Sequence, residues 1–170
     1  MKTRARDRGE PFAGDPWNEI VTRLRMGGHH YAGVGGAVLP VVVGDEFDVV
    51  VSLHERHGHG PPAGVEHHCV DVPDQPLRAD EIQAVGRVAE LTASAVHAGL
   101  RVLVRCHRGY NRSGLVIGHA LVLLGHRPDD AIGLIRRRRS PRALNNETFV
   151  EYLRTGLDVA YLLADLEPST

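Results

Sequence analysis

The fold is decided by residues 101–118, RVLVRCHRGYNRSGLVIG, in which one apolar run leads through a short polar loop into a second apolar run. The first run predicts a buried strand, and residues 113–124 predict a buried helix. Cys106 and Arg112 lie at the two ends of the loop, with five residues between them. This spacing lets the chain curl around a tetrahedral anion, with backbone N–H groups inward and a helix N-terminus adding positive charge. The same field stabilises a thiolate, so Cys106 is a candidate nucleophile.

Hydrophobic periodicity predicts the other elements of secondary structure. Strands are predicted at 48–53, 65–72 and 101–105, with Pro40 confining a further strand at 37–43 to an edge or a break. Helices are predicted over 80–98, 113–124 and 127–138, and a last one runs from Asn145 or Asn146 past Tyr161. Strands that alternate with helices indicate an α/β fold with a central mixed/parallel sheet flanked by helices.

Length and composition are those of one ordinary globular domain. The chain has 170 residues and nearly balanced charge, with 20 Lys plus Arg against 21 Asp plus Glu, so we expect no nucleic-acid partner. Apolar runs of membrane-spanning length are absent from the sequence, and we expect a cytoplasmic protein. We predict a flexible N-terminal arm over 1–14 and a single domain over 15–166. Of the two cysteines, Cys69 lies in a predicted strand and is expected to be buried.

The motif around Cys106 resembles the cysteine-dependent protein tyrosine phosphatase superfamily, specifically its compact dual-specificity branch. The likeness rests on the Cys-x5-Arg-Ser signature with Gly109 at its third x position, between an apolar strand and an apolar helix. It extends from about Trp17 to Leu163 and includes arginine, proline, asparagine and phenylalanine landmarks within 139–149. The chain departs from the family at Arg105, because the family usually has a histidine before the cysteine.

The resemblance implies a role for each residue of the site. Cys106 would attack phosphorus and form a cysteinyl-phosphate intermediate, and Asp74 would protonate the leaving oxygen, with Asp71 as the alternative acid. Ser113 would help the thiolate leave during hydrolysis, or else cap the helix. Arg112 counts among the catalytic residues because it would hold the phosphoryl oxygens. Phosphate binding is assigned to the whole loop: His107, Arg108, Gly109, Tyr110, Asn111 and Arg112.

The implied function is hydrolysis of phosphotyrosine, with phosphoserine and phosphothreonine also in range. The alternatives are a phosphatase for phosphoinositides or other polyanionic phosphates, and a catalytically weak pseudophosphatase that binds phosphorylated ligands. We expect no cofactor. The 11 histidines, including His57 and His59, lack the spacing of a metal site. The arginine run 136–139, together with Arg105, His107, Arg108 and Arg142, suggests an electrostatic funnel for an anionic substrate.

Overall fold

The computed structural model describes residues 10–54, 58 and 60–167. Residues 1–9 of the arm predicted over 1–14, the tail 168–170, and His57 and His59 lie outside the described residues. The described strands are β1 (Trp17–Val21), β2 (Leu24–Gly27), β3 (His30–Ala32), β4 (Val38–Pro40), β5 (Val49–Ser52), β6 (Glu66–Cys69) and β7 (Val102–Arg105). The described helices are α1 (Ala79–His97), α2 (Arg112–Leu123), α3 (Pro128–Arg138), α4 (Glu147–Thr155) and α5 (Leu157–Asp165). Among these helices, none is long and apolar enough to cross a membrane.

The main sheet has five strands in the order β1-β2-β7-β5-β6. The central strand β7 pairs in parallel with β2 and β5, whereas β1 is antiparallel to β2. The predicted mixed sheet flanked by helices is therefore confirmed. Because β7 has a neighbour on each side and is covered on both faces, all four of its residues are buried.

The two faces of the sheet bury separate apolar cores. Val102 and Val104 belong to the larger core, which includes the buried faces of α1 and α2. Leu103 belongs to a smaller core on the other face, with Phe47 and Val50. Side chains alternate along a strand, so Arg105 shares the face of Leu103. Cys106 follows the strand directly and emerges at the carboxyl edge of the sheet.

Several elements differ from the sequence predictions. The short strands β1, β2 and β3 were not predicted, because charged residues such as Glu19 and Arg25 interrupt their apolar pattern at the outer side of the sheet. The predicted last helix is divided into α4 and α5 at Gly156, whose φ of 96° lies outside the helical region. Pro40 lies in β4, which pairs with β3 in a separate two-stranded sheet. Both strands of such a sheet are edge strands, in agreement with the edge position predicted for Pro40.

The prediction that Cys69 is buried is wrong. Cys69 is exposed, and it ends β6, the outermost strand of the main sheet. An outer strand is covered less completely than β7, so a small apolar side chain there does not have to be buried.

Residues 10–14, which were predicted as part of a flexible arm, pack against the body of the domain. The hydroxyl of Tyr110 donates a hydrogen bond to the carbonyl of Pro11 at 2.6 Å. The guanidinium of Arg108 lies over the ring of Phe12, 4.4 Å from its centroid. The described part of this segment therefore covers the outer side of the loop that follows β7.

Arg105, which directly precedes Cys106, is fully buried within the sheet. Its Nε donates to the hydroxyl of Ser52 at 3.0 Å, and that hydroxyl lies 2.9 Å from Nε2 of His67. Burial lowers the pKa of Arg105 to about 10, so the guanidinium stays charged at neutral pH. The contacts of Arg105 with Ser52 and His67 lie on the sheet face opposite α1 and α2. They join three neighbouring strands, β7, β5 and β6.

Replacing Ser52 with alanine tests this buried link. The Ser52→Ala variant leaves Nε of Arg105 without its serine acceptor, so we expect a loss of about 1–3 kcal/mol in the free energy of unfolding. Urea denaturation measures this loss. The control is Ser94→Ala on the exposed side of α1, which should change stability by less than about 0.5 kcal/mol. Equal stability of the two variants would contradict the role of Ser52.

Candidate active site

Cys106 lies at the junction of β7 and α2 and is only 2% exposed. Its Sγ is 3.4 Å from the hydroxyl of Ser113 in the first turn of α2. Burial opposes ionisation, but the charge of Arg112, the Ser113 hydroxyl and the backbone N–H groups of Ser113 and Gly109 outweigh it. The net result is a lowered pKa for the Cys106 thiol. The side chain is thereby biased toward the thiolate, which is the nucleophilic form.

Residues 106–112 form a loop, here called the cysteine loop, whose carbonyl groups are bonded on the outside. The carbonyl of His107 accepts a hydrogen bond from the backbone N–H of His29 at 2.9 Å. The carbonyl of Tyr110 accepts one from the backbone N–H of Leu144 at 3.0 Å. Two separate segments of the chain therefore hold the loop from outside.

Arg139 completes this outer set of contacts. Its guanidinium donates to the carbonyls of Arg108 and Gly109 at 3.2 and 3.1 Å. The C=O and N–H of a trans peptide point in opposite directions, so outward carbonyls turn the N–H groups of 108–111 inward. Inward N–H groups in successive peptides make a concave site for an anion such as phosphate.

Gly109 is required by this arrangement. Its φ of 74° lies in the left-handed region, which glycine adopts without steric cost. A Cβ at this position would lie 2.5 Å from the carbonyl oxygen of Gly27 and 2.6 Å from Nη2 of Arg139. The loop therefore packs directly on the end of β2, with no room for a side chain.

Arg112 begins α2 and faces a cleft of about 670 Å³ that Asp71, His54 and His107 also line. One of its terminal nitrogens, Nη1, donates to the carbonyl of Val72 at 3.4 Å. Its Nε is buried and has no hydrogen-bond partner among the described residues. A buried guanidinium N–H without a protein acceptor is suited to an oxygen of a bound anion.

The two acids considered from the sequence occupy different positions. Asp74 is held against the cysteine loop, since its Oδ2 accepts from the Asn111 amide at 3.0 Å and its Oδ1 from the Asn146 amide at 2.8 Å. Asn146 is also the N-cap of α4, where its side chain accepts from two backbone N–H groups. Asp71 is exposed and lies on the wall of the cleft.

Several side chains predicted to bind phosphate are turned away from the loop interior. Arg108 donates to the carbonyl of Glu10 and Tyr110 donates to Pro11. The Asn111 side chain bridges to Asp74. These three residues can therefore offer an anion only their backbone N–H groups. Ser113 is not the helix cap, since Asn111 occupies the N-cap position.

The arginine run of α3 has divided roles. Arg139 is buried beneath the cysteine loop, and Arg136 donates to the carbonyls of 143 and 144. Only Arg137 and Arg138 are exposed within this run. Of this run, only these two side chains could contribute to the funnel suggested by the sequence, because the other two support the backbone.

Some functional neighbours could not be recognised from the sequence. Asn146 was considered only as a helix cap, and no sequence signal indicates that it also donates to Asp74, which is 72 positions earlier. The ring contacts of His107 with His30 and His54 also join distant segments. Within the described part of the chain, no group of three or more His, Cys, Asp or Glu side chains could hold a metal ion.

Comparison with known proteins gives matches at the level of structure. No protein-family model and no curated protein sequence match the chain. Human DUSP28 is 20% identical with a TM-score of 0.70, and the match covers 88% of this chain and 98% of that one. A mouse putative dual specificity phosphatase, solved with zinc tungstate, is 25% identical with a TM-score of 0.65 over 89% and 92%. PTPMT1 in complex with PI(5)P is 17% identical with a TM-score of 0.59 over 88% and 99%.

Each of these three matches extends over most of this chain and most of the other chain. The resemblance inferred from the cysteine loop is therefore confirmed: the chain has the fold of the compact dual-specificity phosphatases.

Proposed function

We propose that this chain hydrolyses phosphate monoesters through a cysteinyl-phosphate intermediate. The observation that carries the proposal is a buried thiol of lowered pKa at the base of a loop whose N–H groups point inward. Arg112 closes the same loop with a buried N–H that has no acceptor among the described residues. A nucleophile, a concave set of donors and a fixed cation are thus combined within seven consecutive residues, 106–112.

In the first step, the thiolate of Cys106 attacks phosphorus and the bond from phosphorus to the leaving oxygen breaks. The loop N–H groups and Arg112 would bind the three non-bridging oxygens, whose charge they stabilise throughout the transfer. The leaving oxygen takes a proton from a carboxylic acid and departs as an alcohol or phenol. The product on the enzyme is an S-phosphorylated cysteine.

We assign the proton donor to Asp74, which is held beside the loop by Asn111 and Asn146. To donate, Asp74 must be protonated and must turn one oxygen from an amide toward the substrate. Asp71 is the rival, because it already lines the cleft with Arg112. The two acids differ in position, so substitution separates them.

In the second step, water attacks the phosphocysteine and releases inorganic phosphate, with the Cys106 thiolate as leaving group. The hydroxyl of Ser113, 3.4 Å from Sγ, would donate to the departing sulfur. A hydrogen bond that forms to the thiolate and not to the phosphorylated sulfur favours the transition state for departure.

The substrate class that we propose is a phosphorylated protein, first of all one that carries phosphotyrosine, with phosphoserine and phosphothreonine also accepted. Phosphoinositides and other polyanionic phosphates are the second candidate. This candidate is supported by the likeness to PTPMT1, whose structure is a complex with PI(5)P, and by the basic groups that surround His107 at the cleft. A binding protein without turnover is the remaining alternative, motivated by Arg105.

The nucleophile is tested by hydrolysis of an aryl phosphate in the presence of EDTA. We expect the wild-type chain to turn over and Cys106→Ser to have no activity, because a serine hydroxyl is not ionised at neutral pH. Cys69→Ser is the matched control, since Cys69 is exposed and we expect that variant to retain activity. A wild-type chain that binds phosphate or tungstate but does not turn over would support the binding-protein alternative.

The acid is tested by comparing Asp74→Asn with Asp71→Asn. Loss of the true donor should lower kcat roughly 100- to 10,000-fold for a substrate with a basic leaving oxygen. Loss of the donor should also remove the decline in rate at alkaline pH. The decrease in kcat should be smaller for substrates with a nitrophenolate leaving group, because that group departs without a proton. If Asp71→Asn shows this pattern and Asp74→Asn does not, the assignment to Asp74 is wrong.

The Ser113 contact is tested by the pH dependence of thiol alkylation in a Cys69→Ser background, where Cys106 is the remaining cysteine. The Ser113 hydroxyl contributes to the lowered thiol pKa, so Ser113→Ala should raise that pKa. The rise of the iodoacetate reaction rate would then occur at higher pH than in the parent. The same variant should accumulate phosphocysteine, which mass spectrometry after acid quenching detects. An unchanged alkylation profile would exclude the hydroxyl as a donor to the thiolate.

A further inference from the structure

Four histidines from three separate segments meet beside the cysteine loop. The ring of His107 lies 5.6 Å from that of His54 and 5.8 Å from that of His30, measured between centroids. The ring of His29 lies 5.8 Å from that of His54, and its Nε2 donates to the His54 carbonyl at 2.7 Å. These four residues are here called the histidine cluster.

The cluster opens onto the cleft that holds Arg112. His107 follows Cys106 directly, and His107 and His54 both line the cleft wall. A phosphoryl group attached next to one bound in the cysteine loop would therefore lie against these two rings. The cleft volume of about 670 Å³ is within the usual range for small-molecule sites, so it has room for more than one phosphate.

In the described part of the chain, the charged groups that act most strongly on His107 are basic. Burial lowers the pKa of His107 to about 4, and His54, Arg108, Arg112 and His30 act in the same direction. His107 is consequently neutral at physiological pH when the cleft holds no anion. An anion bound among these groups would offset the effect of their positive charges on the pKa of His107, and would therefore favour protonation of its imidazole.

The polar atoms of the cleft also point to an anion. Nδ1 of His107 is buried without a hydrogen-bond partner among the described residues, as is Nε of Arg112. Among the described residues, the other charged groups that line the cleft are Asp71, Glu81 and Arg78. Asp71 is exposed, and Glu81 accepts a hydrogen bond from the Arg78 backbone, so that carboxylate already has a donor.

We propose that His54 and His107, backed by His30 and His29, form a second anion subsite that selects substrates with a second phosphate beside the scissile one. This inference rests on the proposed function, because it places the scissile phosphate in the cysteine loop. His107, neutral in the empty cleft, would gain positive charge by taking up a proton when the second phosphate binds beside it. The shared chemistry is a pair of neighbouring phosphates, whether on a soluble molecule or on a lipid headgroup.

Binding to the inactive Cys106→Ser chain tests the subsite without turnover. Calorimetry with inorganic phosphate and with pyrophosphate gives the ratio of the two affinities. We expect pyrophosphate to bind more tightly, and the additional His54→Gln substitution to reduce the ratio roughly tenfold or more, because a hydrogen bond to a charged group is lost.

Proton uptake distinguishes a binding role from a structural one. Calorimetric titration in buffers of different ionisation enthalpy measures the number of protons taken up when pyrophosphate binds. Protonation of pyrophosphate itself contributes equally to Cys106→Ser and to its His54→Gln derivative, so it cancels when the two uptakes are subtracted. We expect lower uptake in the derivative. The matched control is His97→Gln at the far end of α1, about 27 Å along the helix from Ala79, which should change neither quantity.

An unchanged affinity ratio with unchanged proton uptake overturns the proposal. So does an equal loss of affinity for phosphate and pyrophosphate, since that result would indicate general damage to the loop. Hydrolysis of an aryl phosphate by the wild-type chain is measured separately. If that hydrolysis fails while the ratio still depends on His54, the subsite stands and the proposed enzymatic function fails.

The source of the paired phosphate is resolved with the wild-type chain. One arm compares a soluble inositol bisphosphate with an inositol monophosphate, and the other uses phosphatidylcholine vesicles that carry a phosphatidylinositol bisphosphate. A preference for the bisphosphate over the monophosphate that is lost in His54→Gln supports the subsite. The substrate that is hydrolysed faster, soluble or in vesicles, identifies the source. Equal kcat/KM for bisphosphate and monophosphate substrates contradicts it.

Discussion

The geometry of the site depends on hydrogen bonds that lie outside it. The carbonyls of 107–110 are bonded outward, to backbone N–H groups of His29 and Leu144 and to the guanidinium of Arg139. These bonds orient the peptides, and only then do their N–H groups point at a common centre. Arg139 also donates to the carbonyl of Asp15 at 2.9 Å, so one buried cation fixes the N-terminal segment and the loop together. Loss of a buried charged group of this kind leaves several acceptors unsatisfied at once.

Arg105 lies directly before Cys106 and yet takes no part in the cysteine loop. Its guanidinium is bonded to Ser52 on the sheet face away from α2, so it does not replace a histidine next to the thiol. The field at Cys106 comes instead from Arg112, Ser113 and the loop N–H groups. Arg105 therefore supports the central strands, while the groups that lower the thiol pKa most lie within residues 106–113.

The sequence predicted best what is encoded locally. The central strand, the helix after the cysteine and the helix at 79–97 have long apolar patterns, and the structure confirms all three. Spacing alone also placed Cys106 and Arg112 at the ends of one loop. Contacts between distant segments could not be predicted, because nothing in a local pattern records them. Three contacts are of this kind: the hydrogen bond from Asn146 to Asp74, those from Arg139 to the loop carbonyls, and the ring contacts within the histidine cluster.

The charge of the site depends on whether an anion is bound. Fixed cations close to the thiol lower its pKa, but further fixed cations would repel one another and would cost desolvation energy in a half-buried cleft. The imidazole of His107 avoids that cost, because it is neutral until an anion arrives and can then take up a proton. The low pKa of His107 is therefore compatible with anion binding, since the same burial that suppresses its charge strengthens its attraction to a phosphate once one is bound.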